Sequence, residues 1–426
     1  MSSNHGCLYS ILLILAAASC GPRITPTGSP TAASELPASV VPARTEGAEA
    51  TRTVSPTPPA SATPPIVELE GEITLRCPSN AITRMSSLGI RPDWALLASS
   101  EIAEDMRRWQ IIDQQGEMTP LQMLDNATEW TSFAGVSPNR RSVAYFTVGQ
   151  RNELLDLWVS STSGGESTLL AEGFQRRHVL EWISDEAIAV FDGGGGPWYS
   201  TWLIINTANG EQRTLPSIWL ELAHAFSPDG SKLIYLDLAP EGGREFRLRE
   251  FETGSDYRVF PWVHPDRIQQ RSNVWIQWTT DGVSLALMDS RSLTIALNVA
   301  EESLTAETTS ATSLTFPREA TTWGMSSFAP DSTSLPIWRG YGEYFADPET
   351  EWELFLLDTA DWRLYDYCLT PEWKSPNVIE TSPDGRFLSI SRIHVGEVGT
   401  MVLDSMTGRR AYLPGLGVWG WIVTTP

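Results

Sequence analysis

A four-residue phrase, Ser-Pro-Asp-Gly followed by an alternating apolar run, recurs along the chain and limits how it can fold. Its best copies begin at Ser227 and Ser382, and Ser137-Pro138-Asn139 is a close variant. Proline presets the first turn dihedral, the Asp or Asn side chain caps the turn, and glycine supplies a positive φ. The phrase therefore predicts a β-hairpin corner. Counting weaker copies, its acidic or amide position falls at Asp93, Asn139, Asp185, Asp229, Asp281, Asp331 and Asp384.

These corners are spaced by 46, 46, 44, 52, 50 and 53 residues, which is the range of a propeller or solenoid repeat. A second phrase runs in phase with the first and consists of an apolar strand that ends in a polar residue before a small turn. Clear copies cover residues 109–113, 202–206, 354–358 and 401–404, and looser ones end at Ser160, Glu250 and Asn298. Two hairpin corners per repeat imply four antiparallel strands, which is the blade of a β-propeller.

The count of repeats predicts an all-β fold with seven four-stranded blades across residues 92–426. The last apolar segment, residues 418–423, resembles the innermost strand of a blade, and the first repeat begins directly at Asp93. We therefore expect the C-terminal strand to complete the blade that the N-terminal repeat starts, which leaves no open sheet edge. Alternatively, the segment before Asp93 supplies that strand and the ring closes differently.

The repeats resemble the WD40-like propeller repeats of the TolB and prolyl-oligopeptidase type, in which Ser-Pro-Asp-Gly precedes the second strand of each blade. The resemblance covers residues 92–426 and is carried best by the copies at Ser227 and Ser382. It implies a propeller fold and a tendency to bind partners. It transfers no site, because the repeated phrase is a folding motif.

The first 19 residues are predicted to be a signal peptide. Residues 8–18 form an apolar run that is too short to span a bilayer. The run closes on Ala17-Ala18-Ser19-Cys20, which resembles the lipobox of bacterial lipoproteins and implies lipidation of Cys20. Two departures are Ala17, where Leu is usual, and the lack of Lys or Arg before the run. Ordinary cleavage near Ala18 is the alternative. We expect an exported protein, lipid-anchored to the outer side of a bacterial membrane through Cys20, or secreted if Cys20 is not lipidated.

Residues 20–65 are rich in Pro, Thr, Ala and Ser and contain almost no large apolar side chain, so a disordered tether is predicted. Residues 66–91 form a linking segment with one predicted strand at 73–76. An oxidising compartment would allow Cys77 and Cys368 to form a disulfide between this segment and the body. Two buried thiols are the alternative, since sequence does not supply the separation of the two residues.

The net charge of −22 argues against nucleic acid as a partner, because phosphate binding needs a basic surface. In a four-stranded blade the corners between strands one and two and between strands three and four share one face, and the remaining connections share the other. The first set is expected to be short. The second set holds the long connections, at 99–107, 192–199, 262–271 and 339–352, so we call it the long-loop face and expect the binding site there.

Aromatic and basic side chains are concentrated on this face and suit an acidic peptide segment or a glycan. The predicted binding residues are Arg176, Arg177, His178, Trp198, Tyr199, Trp262, His264, Arg267, Arg271, Tyr341, Tyr344 and Trp373. The alternative is that these loops pack on one another and the charges pair with Glu319, Glu343 or Glu349.

Catalytic motifs are absent from the sequence: it has no G-x-S-x-G, H-E-x-x-H, C-x-x-C or P-loop pattern. His178 and His224, with Glu181 and Glu221 nearby, are predicted to lie close to the axial channel. They could bind a metal, act as acid and base, or fill the channel as hydrogen-bonded polar groups. We expect a monomeric binding module for a protein, peptide or envelope glycan, without cofactor, metal or catalytic residue. The rival is a propeller enzyme, a glycan hydrolase or lyase, with its site in the axial funnel.

Overall fold

The computed structural model describes most of the chain after residue 65. The described residues are 66–69, 73–77, 82–103, 106–121, 132–148, 154–174, 178–192, 201–215, 224–238, 244–259, 274–296, 311–316, 318–329, 333–341, 351–360, 363–368, 376–394 and 397–424. All of them belong to one compact unit, Pro58–Pro426, and none belongs to the second unit, Met1–Thr57. The predicted signal peptide, Cys20 and the tether lie outside the described residues. Within the described part of the chain, no helix has the length and apolar character needed to cross a membrane.

The described residues form thirty-one strands and one short 3₁₀ helix, Met85–Ser87. In chain order the strands are β1 (Ile66–Leu69), β2 (Ile73–Leu75), β3 (Ile82–Thr83), β4 (Trp94–Ala103), β5 (Met106–Ile112), β6 (Met118–Pro120), β7 (Ser132–Val136), β8 (Ser142–Val148), β9 (Leu155–Ser161), β10 (Thr168–Phe174), β11 (His178–Ser184), β12 (Ala187–Asp192), β13 (Thr201–Asn206), β14 (Gln212–Thr214), β15 (His224–Phe226), β16 (Lys232–Leu238), β17 (Arg244–Glu250), β18 (Asp256–Val259), β19 (Trp275–Trp278), β20 (Leu285–Met288), β21 (Ser292–Ala296), β22 (Ala311–Thr315), β23 (Thr322–Met325), β24 (Ser334–Tyr341), β25 (Glu351–Asp358), β26 (Arg363–Asp366), β27 (Pro376–Thr381), β28 (Phe387–His394), β29 (Glu397–Asp404), β30 (Arg410–Pro414) and β31 (Gly417–Val423).

The strands are arranged as seven four-stranded antiparallel blades of a β-propeller, as predicted. From the innermost to the outermost strand, blade I is β31-β4-β5-β6, blade II is β7 to β10, blade III is β11 to β14 and blade IV is β15 to β18. Blade V is β19 to β22, blade VI is β23 to β26 and blade VII is β27 to β30. The first strands of neighbouring blades lie side by side around the axis.

The predicted corners of blades II, IV, V and VII join the first and second strands of their blades, and each is held by its own side chains. The predicted corner at Asp331 lies outside the described residues. In blade IV the Ser227 hydroxyl donates to Asp229 over 2.6 Å and accepts from the Lys232 amide over 2.8 Å. Gly230 has φ 69°, which explains the glycine in the phrase. Ser382 makes the equivalent bond to Asp384 in blade VII. Because the serine is buried and bonded, the phrase stabilises the turn and is not available as a binding motif.

Closure of the ring occurs as predicted, through the C-terminal strand. β31 pairs antiparallel with β4, with Trp421 opposite Leu96. The Val423 amide donates to the Arg140 carbonyl of blade II over 2.9 Å. Blade I is therefore built from both ends of the propeller sequence, and its inner strand is held by its neighbour as well.

The hydrophobic core lies in layers between neighbouring blades. Blades VII and I share a cluster that contains Phe387 and Trp421, and blades V and VI share one that contains Phe316 and Ile337. Between blades IV and V, the buried Trp278 donates its indole N–H to the Ala225 carbonyl over 3.1 Å. Each blade is thus stabilised mainly by the apolar surface that its neighbours cover.

The linking segment adds a fifth, parallel strand to the outer edge of three blades in succession, and we call residues 66–83 the strap. β1 pairs with β22 of blade V, β2 with β26 of blade VI and β3 with β30 of blade VII. The strand at 73–75 was predicted, whereas β1 and β3 were not. Because these strands take outer edges, they leave the predicted closure by β31 in place.

A disulfide joins the strap to blade VI. Cys77 follows β2 and Cys368 follows β26, and their Cα atoms are 4.8 Å apart. The guanidinium of Arg76 lies 3.6 Å from the centre of the Tyr365 ring, and the Arg76 amide donates to the Asp366 carbonyl over 2.7 Å. The strap is therefore fixed at its middle by a covalent bond and a stacked cation.

One connection between the third and fourth strands of a blade is longer than we predicted from the sequence. β21 ends at Ala296 and β22 begins at Ala311, so the third-to-fourth connection of blade V is not a tight corner. The residues between them lie outside the described residues. The expectation of uniformly short corners was wrong for this blade.

Candidate functional site

Most of the predicted binding residues lie in the connections of the long-loop face. Arg176, Arg177, Trp198, Tyr199, Trp262, His264, Arg267, Arg271, Tyr344 and Trp373 lie outside the described residues. His178 begins β11, and its side chain is not described. The binding role of these residues stays a prediction.

Tyr341, in contrast, is described, and the structure corrects its assignment as a partner-binding aromatic. It ends β24 and is only 5% exposed. Its hydroxyl donates to Glu353 and accepts from the Arg339 guanidinium. Burial and the bond to Glu353 raise the pKa of Tyr341. The ring is consequently covered by the protein itself, because it packs within blade VI instead of standing in the loop.

Arg339 forms the centre of a buried polar cluster between blades V and VI. It is 1% exposed, and its guanidinium donates to the carbonyls of Ser290, over 2.9 Å, and Arg318. The guanidinium carbon also lies 4.0 Å from the centre of the Phe316 ring. Burial lowers the pKa of Arg339. Because its bonds run to connections of both blades, Arg339 fixes their positions at the long-loop face.

The charges at the surface of this cluster are paired. Arg318 bonds Glu351 over 2.7 Å, and Arg291 bonds Glu319. All four side chains are largely exposed to solvent, so each pair contributes little to stability. Of the acids named in the alternative, Glu319 is thus paired, with Arg291.

An aromatic corner lies beside the axis where blades V and VI meet, and we define it as Trp275 and Trp338. Trp275 begins β19 and is 41% exposed, although it belongs to the innermost strand. Since β19 runs from the long-loop face to the corner at Thr279, Trp275 is its residue nearest the long-loop face. The ring of Trp338 stands 6.2 Å from that of Trp275 at 71°. The two indole rings are thus in edge-to-face contact, and the exposed part of Trp275 offers an apolar surface on which a ligand group can pack.

Gly324 on β23 allows the Trp338 ring to reach this position. A Cβ atom at Gly324 would lie only 2.3 Å from the ring. The sequence analysis treated 274–278 as an inner strand and did not single out Trp275. Alternation along β19 could have revealed it, because Trp275 and Gln277 share the side opposite the buried Ile276.

The axial channel contains the predicted histidine and acid. His224 and Glu181 stand at equivalent positions of neighbouring inner strands, three residues before their corners, and His224 Nε2 lies 3.6 Å from Glu181 Oε2. His224 also packs edge-on against Trp202. The described residues hold no group of three metal-binding side chains. His224 and Glu181 form a polar contact in the described part of the channel, and Glu221 lies outside the described residues.

A second acid of the inner strands is paired across blade I. Glu380 of β27 lies 3.5 Å from Arg140, which belongs to the first corner of blade II. Burial raises the pKa of Glu380, although Arg140 acts in the opposite direction. This acid therefore meets one physical requirement of a general acid, a raised pKa, while its contacts are those of a structural bridge.

These observations define the protein as a seven-bladed β-propeller whose long-loop face carries a rigid, buried arginine cluster and an exposed aromatic corner. No protein-family model matches the chain, and no curated protein matches it in sequence.

Solved structures that resemble the chain are propellers of low sequence identity. A candidate 6-phosphogluconolactonase from Bacteroides uniformis superposes with a TM-score of 0.50 at 12% identity, covering 77% of this chain and 100% of that one. TolB from Acinetobacter baumannii gives 0.43 at 12% identity, with 85% and 98% covered. The periplasmic gluconolactonase of Pseudomonas aeruginosa gives 0.47 at 13% identity, with 78% and 99% covered. The first of these structures shares its fold with this chain.

Proposed function

We propose that the protein is an exported binding propeller that takes a protein, peptide or envelope glycan at the long-loop end of its axis. The observation that carries the proposal is Trp275, which is 41% exposed although it lies on the innermost strand of blade V. Large aromatic side chains are usually buried. An indole that is exposed on an inner strand therefore indicates a candidate binding site.

The aromatic corner is prepared for binding before a ligand arrives. Trp275 is fixed by the β19–β20 ladder, and Trp338 is fixed by its contact with Gly324. A ligand that stacks on these rings therefore loses little side-chain entropy of the protein on binding. Flat aromatic surfaces suit the apolar face of a sugar ring or an aromatic or aliphatic peptide side chain.

We expect exposed charged side chains of the long-loop face to orient the ligand. Arg318 and Glu351 are exposed and paired beside the buried Arg339 cluster. An exposed ion pair is weak, so an acidic group of a partner can exchange with Glu351 at small cost. The predicted basic and aromatic loop residues, Arg267 and Arg271 among them, would extend this surface.

Export and lipid anchoring are part of the proposal. The support comes from the signal-like residues 8–18, from Cys20 and from the disulfide between Cys77 and Cys368. Disulfides persist in oxidising compartments outside the cytosol. Anchoring through Cys20 would hold the propeller near a membrane on the tether of residues 20–65.

The test is capture of ligands by the full chain, compared with two alanine variants. Glycans and proteins from its own cell envelope are offered to the wild type, to Trp275→Ala and to Tyr257→Ala. Tyr257 is a matched control because it is 37% exposed on the outer strand β18. We expect the ligand to be lost by Trp275→Ala and kept by Tyr257→Ala. Equal retention by both variants would show that the aromatic corner is not the site.

A second candidate function is glycan cleavage in the axial funnel, favoured by the His224–Glu181 pair and by the raised pKa of Glu380. An imidazole and a carboxylate in contact can move a proton between them. Incubation of captured glycans with the wild type and with Glu181→Gln distinguishes the two functions. New reducing or unsaturated ends, formed by the wild type and lost in Glu181→Gln, would establish the enzyme.

A further inference from the structure

The most exposed large apolar side chains of the described residues lie together at one place on the outside of the ring. They are Met406, Leu75 and Ile82, at 73%, 67% and 62% exposure. Leu75 and Ile82 belong to the strap, and Met406 belongs to the turn after β29. Apolar side chains scattered singly over a surface need no explanation, but a concentration of this kind marks an interaction surface.

Hydrogen bonds and strand register bring these residues together. Arg76, next to Leu75, donates to the carbonyl of Ser405, next to Met406, over 3.4 Å. Ile82 pairs with Arg410 in the parallel β3–β30 ladder. Tyr412 follows two residues later on the same side of β30 and is 41% exposed. We call the set Leu75, Arg76, Ile82, Met406, Arg409, Arg410 and Tyr412 the rim patch.

The rim patch is basic in a protein whose net charge is −22. Arg76, Arg409 and Arg410 make no ion pair with any residue that the structure describes. The neighbouring acid Asp404 is already bonded by Arg386 and Thr407. Three guanidinium groups are therefore left without a carboxylate partner among the described residues, beside exposed apolar side chains.

We propose that the rim patch docks on an anionic phospholipid surface. Exposed apolar and tyrosine side chains enter the boundary between headgroups and acyl chains, and arginines bind the phosphates. The acidic remainder of the protein does not prevent this, because charges more than about 8 Å from the membrane are largely screened at physiological salt.

The course of the strap indicates a membrane as the partner. β1 is parallel to β22, the fourth strand of its blade, which runs from the corner face towards the long-loop face. Ile66 therefore lies at the corner-face end, and the chain that leads back to Cys20 arrives there. The tether predicted for residues 20–65 would have an end-to-end distance of roughly 35–40 Å, from about 5–6 Å multiplied by the square root of the residue number. An anchor at Cys20 would thus keep the rim patch at a high effective concentration near the bilayer.

Docking in this way would orient the ring. The patch lies at the rim of blades VI and VII, towards the corner face, so contact there leaves the long-loop face directed away from the lipid. The inference concerns lipid contact and does not depend on which ligand the long-loop face takes.

The test measures sedimentation of the full chain with vesicles, in a Cys20→Ser background that removes any acyl chain. Vesicles of phosphatidylcholine are compared with vesicles that contain 30% phosphatidylglycerol, at low and high salt. We expect stronger binding to the anionic vesicles, weakened by salt. Arg409→Ser with Arg410→Ser should lower this binding about 25-fold, since each basic side chain contributes roughly fivefold near an anionic surface. Met406→Ser with Tyr412→Ser should also lower it, without any change of charge.

Matched controls keep the result specific. Arg213→Ser with Arg249→Ser makes the same charge change on blades III and IV, and Met118→Ser removes an exposed apolar side chain from blade I. Both should bind like the parent, and circular dichroism checks that every variant is folded. Equal binding to the two kinds of vesicle, or equal losses in patch and control variants, overturns the proposal. Because Cys20 is replaced throughout, failure of lipid anchoring cannot be mistaken for failure of the patch.

Discussion

Arg140 and Glu380 join two blades that are not neighbours in the ring. Arg140 belongs to blade II and Glu380 to blade VII, and their side chains meet at 3.5 Å across the inner strand of blade I. Arg140 also donates to the Thr381 carbonyl over 3.5 Å, and its own carbonyl accepts from Val423. It has φ 65°, at the position that glycine holds in the corners of blades IV, V and VII. The side chain is therefore kept at a backbone position that disfavours it, because it holds both sides of the closing blade.

This bridge predicts a pH-dependent loss of stability in Arg140→Gly. Glycine relieves the left-handed backbone by about 1 kcal/mol, but it leaves the half-buried Glu380 without its cation, at a cost of about 1–3 kcal/mol. The pKa of Glu380 is already raised, so its ionised form is penalised in the folded protein, and the penalty grows as pH rises through that pKa. The loss should therefore be full at neutral pH and shrink as Glu380 becomes protonated.

Urea unfolding from pH 4 to pH 8 measures this dependence. The control is the same substitution in a Glu380→Gln background, where the cost of Arg140→Gly should not vary with pH. A pH-independent cost in the wild-type background would show that the charge pair contributes nothing.

We expect alanine substitution of two tryptophans on inner strands to lower the free energy of unfolding by very different amounts. Trp421 of β31 is 0% exposed, packs against Phe387 with ring centres 6.1 Å apart and donates to the Glu380 carbonyl. Trp421→Ala should lower the free energy of unfolding by about 3–5 kcal/mol. Trp275→Ala should cost less than about 1 kcal/mol, because Trp275 is exposed. Similar shifts of the urea midpoint in both variants would contradict the assignment of Trp275 as a surface residue.

Because the pKa of Asp404 is lowered in the folded protein, we expect replacement of this residue to reduce stability in a pH-dependent way. Burial raises the pKa of this carboxyl, but bonds from Arg386, Thr407 and the Met406 amide outweigh that effect and leave it below the usual value. Its contribution is fully present above about pH 4 and is lost as pH falls through the folded pKa. Asp404→Asn should therefore cost about 1–3 kcal/mol at pH 7, where one partner of a bonded pair is removed.

Asp358 ends the equivalent strand of blade VI and serves as the control. Its carboxylate accepts from the Ala360 amide over 2.9 Å, so Asp358→Asn should cost less than about 1 kcal/mol. Thermal unfolding at pH 7 and pH 3.5 compares the two. The difference in stability loss between Asp404→Asn and Asp358→Asn should be smaller at pH 3.5 than at pH 7. A larger difference at pH 3.5 would contradict the lowered pKa of Asp404.

We expect substitutions of Gly324 and Trp338 to have coupled effects on the free energy of unfolding, because a side chain at position 324 would clash with the Trp338 ring. Gly324→Ala places a methyl group within 2.3 Å of the indole ring and should cost about 1–3 kcal/mol as the ring is displaced. The same change in a Trp338→Leu background should cost much less, because the clash is gone. Chemical unfolding of the four proteins measures the coupling energy, and additive costs would exclude the contact.

The repeat in the sequence was sufficient to predict the blades, because each corner is stabilised by residues adjacent in the chain. Ser227, Asp229 and Gly230 need no distant partner to make their turn. Closure was also predictable, since the apolar strand around Trp421 had no other partner in its own repeat.

The strap and the buried arginine were not predictable, because both depend on residues far away in the chain. Ile66 pairs with Ala311 and Ile82 with Arg410 in parallel ladders only two to four residues long, which leave no periodic pattern. Arg339 is an ordinary basic residue in the sequence. Its burial depends on Phe316 and Ser290 of the neighbouring blade.

The pairing of β31 with β4 also determines when the molecule can be completed. The strand that closes the first blade is synthesised after the other six blades, so until then β4 presents a bare edge to the surroundings. An unfinished ring is therefore open to pairing with other chains throughout synthesis, as expected for a sheet that awaits a distant strand. A protein cut short just before β31 would retain most of its blades and yet carry this edge permanently, so quality control in the cell could distinguish complete from incomplete copies by a single strand.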